Sequence, residues 1–122
     1  MADRDKTGKS GEQLVADFVS QNGWVILHQN WRWKRYEIDL VLGLENVIVF
    51  AEVKTQKRLF YDHPAPLVSP DQQKRLITAA QAYMIEFGYD GAIRFDVFRV
   101  ILPDSEPAQI EHFADAFFPG LG

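Results

Sequence analysis

A chain of 122 residues with 47% hydrophobic and 13% aromatic content can form one domain with a substantial core. It has no cysteine, which excludes disulfides, zinc–cysteine sites and thiol catalysis, and no apolar run nears the ~18 residues of a membrane helix. The formal net charge of −4 argues weakly against a nucleic-acid partner, but all 13 Lys and Arg precede residue 100.

The last acids, Asp104, Glu106, Glu111 and Asp115, lie in a stretch with no base, so the body before them is neutral. Within it stand the basic clusters Arg4/Lys6/Lys9, Arg32/Lys34/Arg35, Lys54/Lys57/Arg58 and Lys74/Arg75. Local patches matter more to nucleic-acid binding than overall pI. A solvated mixed surface explains the charge pattern equally well.

In chain order, residues 1–8 read as a disordered lead-in. No apolar stretch follows Met1 to Lys6, so no export signal is predicted and the cytoplasm is the default. Ser10 caps a helix whose apolar stripe is Leu14, Val15, Phe18 and Val19 and which ends at Asn22-Gly23. Trp24 to Leu27 reads as a strand leading into the Trp- and Arg-rich run to Arg35. Strands at about 36–42 and 47–54 follow, joined by Gly43 to Asn46 as a hairpin turn. Thr55 to Leu67 is a predicted loop.

Ser69-Pro70 opens a long helix with Leu76, Ile77, Ala80, Tyr83, Met84 and Phe87 at helical spacing, closed by Gly88. Residues 92–101 form a strand, 103–107 a turn, and Ile110 to Phe113 a last short strand before a loose tail. The order α-β-β-β-α-β predicts an α/β fold, a mixed central sheet flanked by helices. One domain is expected over 9–118, with 119–122 as a tail.

Charge appears where these strands should be apolar. Asp39 lies in Glu37-Ile38-Asp39-Leu40-Val41, and Glu52 and Lys54 lie in Phe50-Ala51-Glu52-Val53-Lys54. Charges two residues apart on a strand share a side. Neighbouring strands lie about 5 Å apart, so Asp39 and Glu52 could share one hard cation, Mg²⁺ or Mn²⁺. Lys54 could hold a water or offset phosphorane-like charge, and Glu12 could complete the site, with Glu37 a further ligand or a structural partner. The bland alternative is a set of salt bridges on a solvated sheet face.

Trp31 and Trp33, interleaved with Arg32, Lys34 and Arg35, could stack bases and grip phosphates, or simply anchor the sheet. His28, His63 and His112 lack zinc spacing. Ser69 reads as a cap rather than a nucleophile, Asp96 as sheet support, and no phosphate-cradling glycine loop is present.

Gly11-Glu12, Asn30-Trp31-Arg32, Glu37-Ile38-Asp39-Leu40-Val41, Phe50 to Thr55, Ala79-Ala80 with Tyr83, and Arg94-Phe95-Asp96-Val97 together resemble the YraN-like family of bacterial proteins. That family is similar to compact PD-(D/E)XK nucleases, with a restriction-endonuclease-like fold, and the resemblance runs from about Gly8 to Phe117. It implies metal-binding acids at Asp39 and Glu52, the Val53 carbonyl as a further ligand, Lys54 as catalytic lysine and Glu12 as the helical acid. Arg32, Arg35, Lys57, Lys74 and Arg75 are the expected nucleic-acid contacts. The chain departs from the family pattern at Tyr36, Gln56 and Gln72, where Gly, Arg and Lys are usual. The expectation is an Mg²⁺- or Mn²⁺-dependent DNA endonuclease, acting on branched DNA and dimeric by analogy with junction resolvases. The alternative is a non-catalytic nucleic-acid-binding or protein-interaction module on the same fold.

Overall fold

In the computed structural model, residues 10–57, 68–102 and 107–117 are described below. The lead-in at 1–8, the tail at 119–122, the turn at 103–106, and Arg58 and His63 lie outside them.

Helix α1 (Gly11–Gln21) starts as its sequence predicts. The Ser10 hydroxyl accepts the Gln13 N–H at 3.2 Å, replacing a bond the first turn cannot make internally. The chain leaves α1 through Asn22 and Gly23, whose φ of +88° is costly for any residue with a Cβ. Val15, Ala16 and Val19 form the buried stripe, whereas Phe18 remains 38% exposed.

Strand β1 (Val25–Trp33) is longer than its apolar start suggests. It pairs antiparallel with β2 (Tyr36–Leu44) across a two-residue turn, Lys34-Arg35, in which Lys34 has φ +56°. The register skips Leu27, a bulge that breaks the alternation by which a strand is recognised. Strand β3 (Val47–Lys57) pairs antiparallel with β2, from Leu44↔Val47 to Leu40↔Ala51. The turn is therefore Glu45-Asn46, tighter than the four residues expected. Strand β3 also continues through Thr55 to Lys57, where a loop was expected, because β4 (Ala92–Leu102) pairs parallel with it along that whole length. Helix α2 (Pro70–Glu86) is the crossover that parallel pairing requires. Strand β5 (Gln109–Phe113) closes the far edge antiparallel to β4, giving the sheet order β1-β2-β3-β4-β5.

The two helices cover opposite faces of this mixed sheet. Under α1 lie Leu40, Leu42, Val49, Ala51, Phe98 and Val100. Under α2, whose Leu76, Ala79, Ala80 and Tyr83 are buried, lie Ile38, Val41, Phe50 and Phe95. Burial of each large apolar side chain stabilises the fold by about 1.5–3 kcal/mol. The expected fold class, an α/β restriction-endonuclease-like core with a mixed sheet flanked by helices, is the one found.

Phe117 belongs to this core rather than to a loose tail. It stacks on Phe95 at 4.9 Å, and the Ala116 N–H bonds the Phe95 carbonyl at 2.7 Å. His28 Nδ1 lies 2.9 Å from the Tyr83 hydroxyl, and His112 Nε2 lies 2.6 Å from Asp96. Among the described residues, no helix is long and apolar enough to cross a membrane.

Candidate functional site

The β2–β3 ladder stops at Leu40↔Ala51, and the corner that opens beyond it holds the charged residues. Val53 N–H has lost its place in that ladder and donates instead to Asp39 Oδ2 at 2.8 Å. A buried N–H needs such a partner, so Asp39 is fixed by the backbone it completes. Strand alternation sends Val53 towards the α1 core and leaves Glu52 and Lys54 on the α2 side with Phe50. There Lys54 Nζ stands 3.6 Å from a Glu52 carboxylate oxygen and 3.4 Å from Gln72 Oε1.

Gln72 reaches Lys54 because it is the third residue of α2. Ser69 Oγ accepts the Gln72 N–H at 3.1 Å, and Gln72 Oε1 accepts the Ser69 N–H at 3.3 Å, a reciprocal capping box. The position where the family pattern expects a lysine thus carries a neutral oxygen acceptor for Lys54. The motif Ser69-x-x-Gln72 announces the cap in the sequence; the contact with Lys54 is visible only once α2 is folded back over the sheet.

Asp39 is an unusual carboxyl. Burial, and to a lesser degree the negative charges of Glu52, Glu12 and Glu37, push its pKa up to about 7, against the stabilising bond from Val53. Glu12 reaches this neighbourhood because α1 begins against β3: a Cβ on Gly11 would stand 2.0 Å from Thr55 Oγ1. Only a glycine permits that approach. Glu37 is exposed and pairs with Arg32 at 3.4 Å. Among the described residues, no three Asp, Glu or His side chains converge closely enough to form a ready metal cluster. The donor set is nevertheless all oxygen, negative and crowded, which suits a hard divalent cation at Asp39 and Glu52.

Two clefts meet at this corner. The smaller, about 220 Å³, is lined by Arg35, Tyr36, Glu37, Glu52, Gln72, Arg75 and Leu76. The larger, about 530 Å³, is lined by Arg35, Tyr36, Asp71, Lys74 and Arg75. They share Arg35, Tyr36 and Arg75, so the β1–β2 turn and the first turns of α2 form one continuous wall. Of the expected nucleic-acid contacts, Arg35, Lys74 and Arg75 line that wall. Arg32 and Lys57 are exposed and line neither cleft.

The model of an uncharacterised protein family, UPF0102, matches residues 11–100, which span α1 through most of β4. The chain belongs to the UPF0102 family. A UPF0102 protein of Bacteroides thetaiotaomicron is 36% identical over 121 residues, covering 99% of both chains. One from Flavobacterium psychrophilum is 37% identical over 118 residues, covering 97% of this chain and 98% of its own. Another, from Chlorobium phaeobacteroides, is 36% identical over 122 residues, covering 95% and 96%. The YraN-like resemblance read from the sequence is to this family.

The stretch matched by the UPF0102 model contains Glu12, Asp39, Glu52, Lys54, Gln72 and Arg75. Sequence reasoning, which put base stacking on Trp31 and Trp33, missed Tyr36, the aromatic residue that lines this wall. Trp33 and Tyr36 flank the β1–β2 turn and stack at 6.0 Å and 17°. Lys34 lies 4.6 Å from the Trp33 ring and Arg35 5.5 Å from the Tyr36 ring, within cation–π range. Trp31 behaves differently, packing edge-on against Tyr83 at 5.1 Å on the α2 core.

Proposed function

We propose that this UPF0102 protein is a Mg²⁺- or Mn²⁺-dependent endonuclease acting on DNA, with Asp39 and Glu52 holding the cation. The observation that carries the reading is the open corner after Ala51. Asp39, Glu52 and Lys54 stand near one another there, and Glu52 lines the smaller cleft, which shares Arg35 and Arg75 with the larger cleft that Lys74 also lines. Structural ion pairs do not need a cationic cleft, whereas a phosphodiester does.

The Val53 carbonyl and Glu12 are the further groups proposed to support the cation. Bound there, such an ion would polarise the scissile phosphate and acidify a water. Lys54 offsets charge on the phosphoryl oxygens and holds the attacking water. Glu52 and Gln72 keep its ammonium on the α2 side. Arg35 and Arg75 meet the flanking phosphates as forked donors, and Lys74 as a point charge.

The test is cleavage of a labelled panel of duplex, single-stranded, flapped and four-way-junction DNA with Mg²⁺ or Mn²⁺. Metal-dependent cutting that disappears in Lys54→Ala is the expected result; equal cutting by both proteins, or none by either, would overturn the assignment.

One observation favours a second reading, a non-catalytic nucleic-acid-binding module on the same fold. Lys54 is held by Glu52 and Gln72, and no third acid joins Asp39 and Glu52 as a ready ligand among the described residues. DNA binding without cleavage, and without carboxylate-dependent Mn²⁺ binding, would select it.

A further inference from the structure

We infer that the larger cleft beside the candidate metal corner is a subsite for one unpaired nucleotide. Its base would lie on Tyr36 and its phosphate among Arg35, Lys74 and Arg75. The inference rests on the nuclease reading and specifies its substrate: DNA with an unstacked nucleotide next to the cut, rather than continuous duplex.

Three observations carry it. The first is size and place. A cleft of about 530 Å³ is of the scale that holds a small organic ligand, and it joins the Glu52 cleft through Arg35, Tyr36 and Arg75. An occupant of one is therefore the chain neighbour of an occupant of the other.

The second is the wall chemistry. Three cations and one carboxylate, Asp71, surround an aromatic face. A groove for phosphate alone would gain nothing from Tyr36 and would be weakened by Asp71. A nucleotide uses both: its base has two π-faces and carries amino donors that a carboxylate accepts, while its phosphate meets the cations. Asp71 also lies in the first turn of α2, where an acid is favoured by the helix dipole.

The third is that the aromatic face is held in place beforehand. The turn at Lys34, with φ +56°, brings Trp33 and Tyr36 side by side within 17° of parallel. Trp33 thus fixes the plane of Tyr36, and the Arg35 guanidinium, 5.5 Å from the Tyr36 ring, covers it in the free protein. A base inside a duplex already has neighbours on both faces and would gain no stacking here. An unpaired base gains one, worth about fivefold or more in affinity per stacked base. Arg35 then turns from the ring to the phosphate.

The test is binding in EDTA, where cleavage cannot occur, so failure of the subsite and failure of the nuclease reading are distinguishable. Fluorescence anisotropy is measured for a labelled single-stranded dT oligonucleotide, a blunt duplex and the same duplex with a single-stranded flap. Single strand and flap should bind about fivefold or more tighter than blunt duplex. Tyr36→Leu should erase that preference while sparing duplex binding, and Lys74→Ala should weaken all three alike and reduce the salt slope by about 1. Intrinsic tryptophan fluorescence of the unmodified protein should be quenched by dT, and the quench lost in Trp33→Phe. This keeps the test open if Tyr36→Leu does not fold.

Equal affinity for duplex and single strand overturns the subsite, even if metal-dependent cleavage is later found. So does an unchanged preference in Tyr36→Leu, because the wall would then be a phosphate patch only. No binding to any of the three DNAs overturns it as well.

Discussion

Asp39 and Val53 are joined where a rung of the sheet would otherwise stand: the carboxylate takes the 2.8 Å bond from the Val53 N–H just past the last β2–β3 pair. A single side chain therefore ends the ladder and begins the candidate metal site, and its two roles pull against each other. The position is good for a ligand and poor for an uncompensated anion.

Asp39→Asn should accordingly stabilise the metal-free protein at pH 8 while abolishing cleavage. The folded-state pKa is raised to about 7, so ionising Asp39 above that pH destabilises the fold relative to the unfolded chain, where the carboxyl ionises near 4. The penalty is absent below about pH 4, grows as pH rises towards 7, and is complete above. Asn keeps the acceptor for Val53 and carries no charge. Chemical denaturation should show a gain on the order of 2 kcal/mol at pH 8 that disappears near pH 4. Mn²⁺ should raise the melting temperature of the native protein and leave the variant unmoved. A variant less stable than the native chain at pH 8 would contradict this account of Asp39.

Gln72 links the cap of α2 to Lys54, so its two functions can be separated by substitution. Gln72→Ala should lose about 1 kcal/mol of stability through the cap and also lower turnover by releasing Lys54. Gln72→Glu restores the capping box and keeps an acceptor for Lys54, so stability should recover. If Gln72→Ala leaves cleavage untouched, the 3.4 Å contact has no role in positioning Lys54.

Gly11→Ala should destabilise by about 1–3 kcal/mol, because the new methyl would occupy space held by Thr55 Oγ1 at 2.0 Å. Relief of the clash moves α1, and Glu12 with it, so metal affinity should fall too. Adding Thr55→Ala should recover most of the stability. Isothermal titration with Mn²⁺ and a denaturation series on the two variants decide the matter; full native stability in Gly11→Ala alone would mean α1 has slack at its start.

Asp96 makes the opposite electrostatic case. It is fully buried, yet it receives a two-bond fork from Arg94 at 2.8 and 2.7 Å, the His112 ring at 2.6 Å and the Asp115 N–H at 2.9 Å. Burial alone would raise its pKa, but the bonds from His112, Arg94 and Asp115 outweigh that and hold it below the usual carboxylate range. Its stabilisation is present above the ordinary pKa, about 4, and is lost as pH falls through the lower folded-state value. Asp96→Asn should cost about 3–5 kcal/mol near neutral pH and flatten the acid side of the stability profile. A urea midpoint that falls as steeply between about pH 5 and 3 in the variant as in the native chain would be the contrary result.

Much of this was legible in the sequence because the signals were local. Ser10, Ser69-Pro70, Gly23 and Gly88 mark the helix ends, and the spacing of Leu76, Ala80 and Tyr83 marks the buried face of α2. Strand β1 was harder. Its bulge at Leu27 and the φ of +52° at Asn30 break the two-residue period, so the part after Leu27 does not read as a strand. The extension of β3 past Thr55 depends on β4, 45 residues away along the register Thr55↔Val100, and no local pattern encodes a distant partner. Within the candidate site, Asp39, Glu52 and Lys54 stand out as charges in apolar strands. The Val53 bond and the Gln72 contact depend on where distant segments meet in space, and the Trp33–Tyr36 stack on the two-residue turn that sets the rings side by side. Phe117 was misread for the same reason: its partner, Phe95, is on another element.

The corner is also divided in the order of its assembly. Asp39 and Glu52 sit on one hairpin closed by the two-residue Glu45-Asn46 turn, whereas Gln72, Lys74 and Arg75 ride on the crossover to a parallel strand. Hairpins close over short chain distances and early; parallel pairs need a long loop to close first. Asp39, Glu52 and Lys54 can thus come together before Lys74 and Arg75 arrive. During folding, the acids would stand with Lys54 but without Lys74 or Arg75 beside them, so the docking of α2 completes the charge balance of the corner.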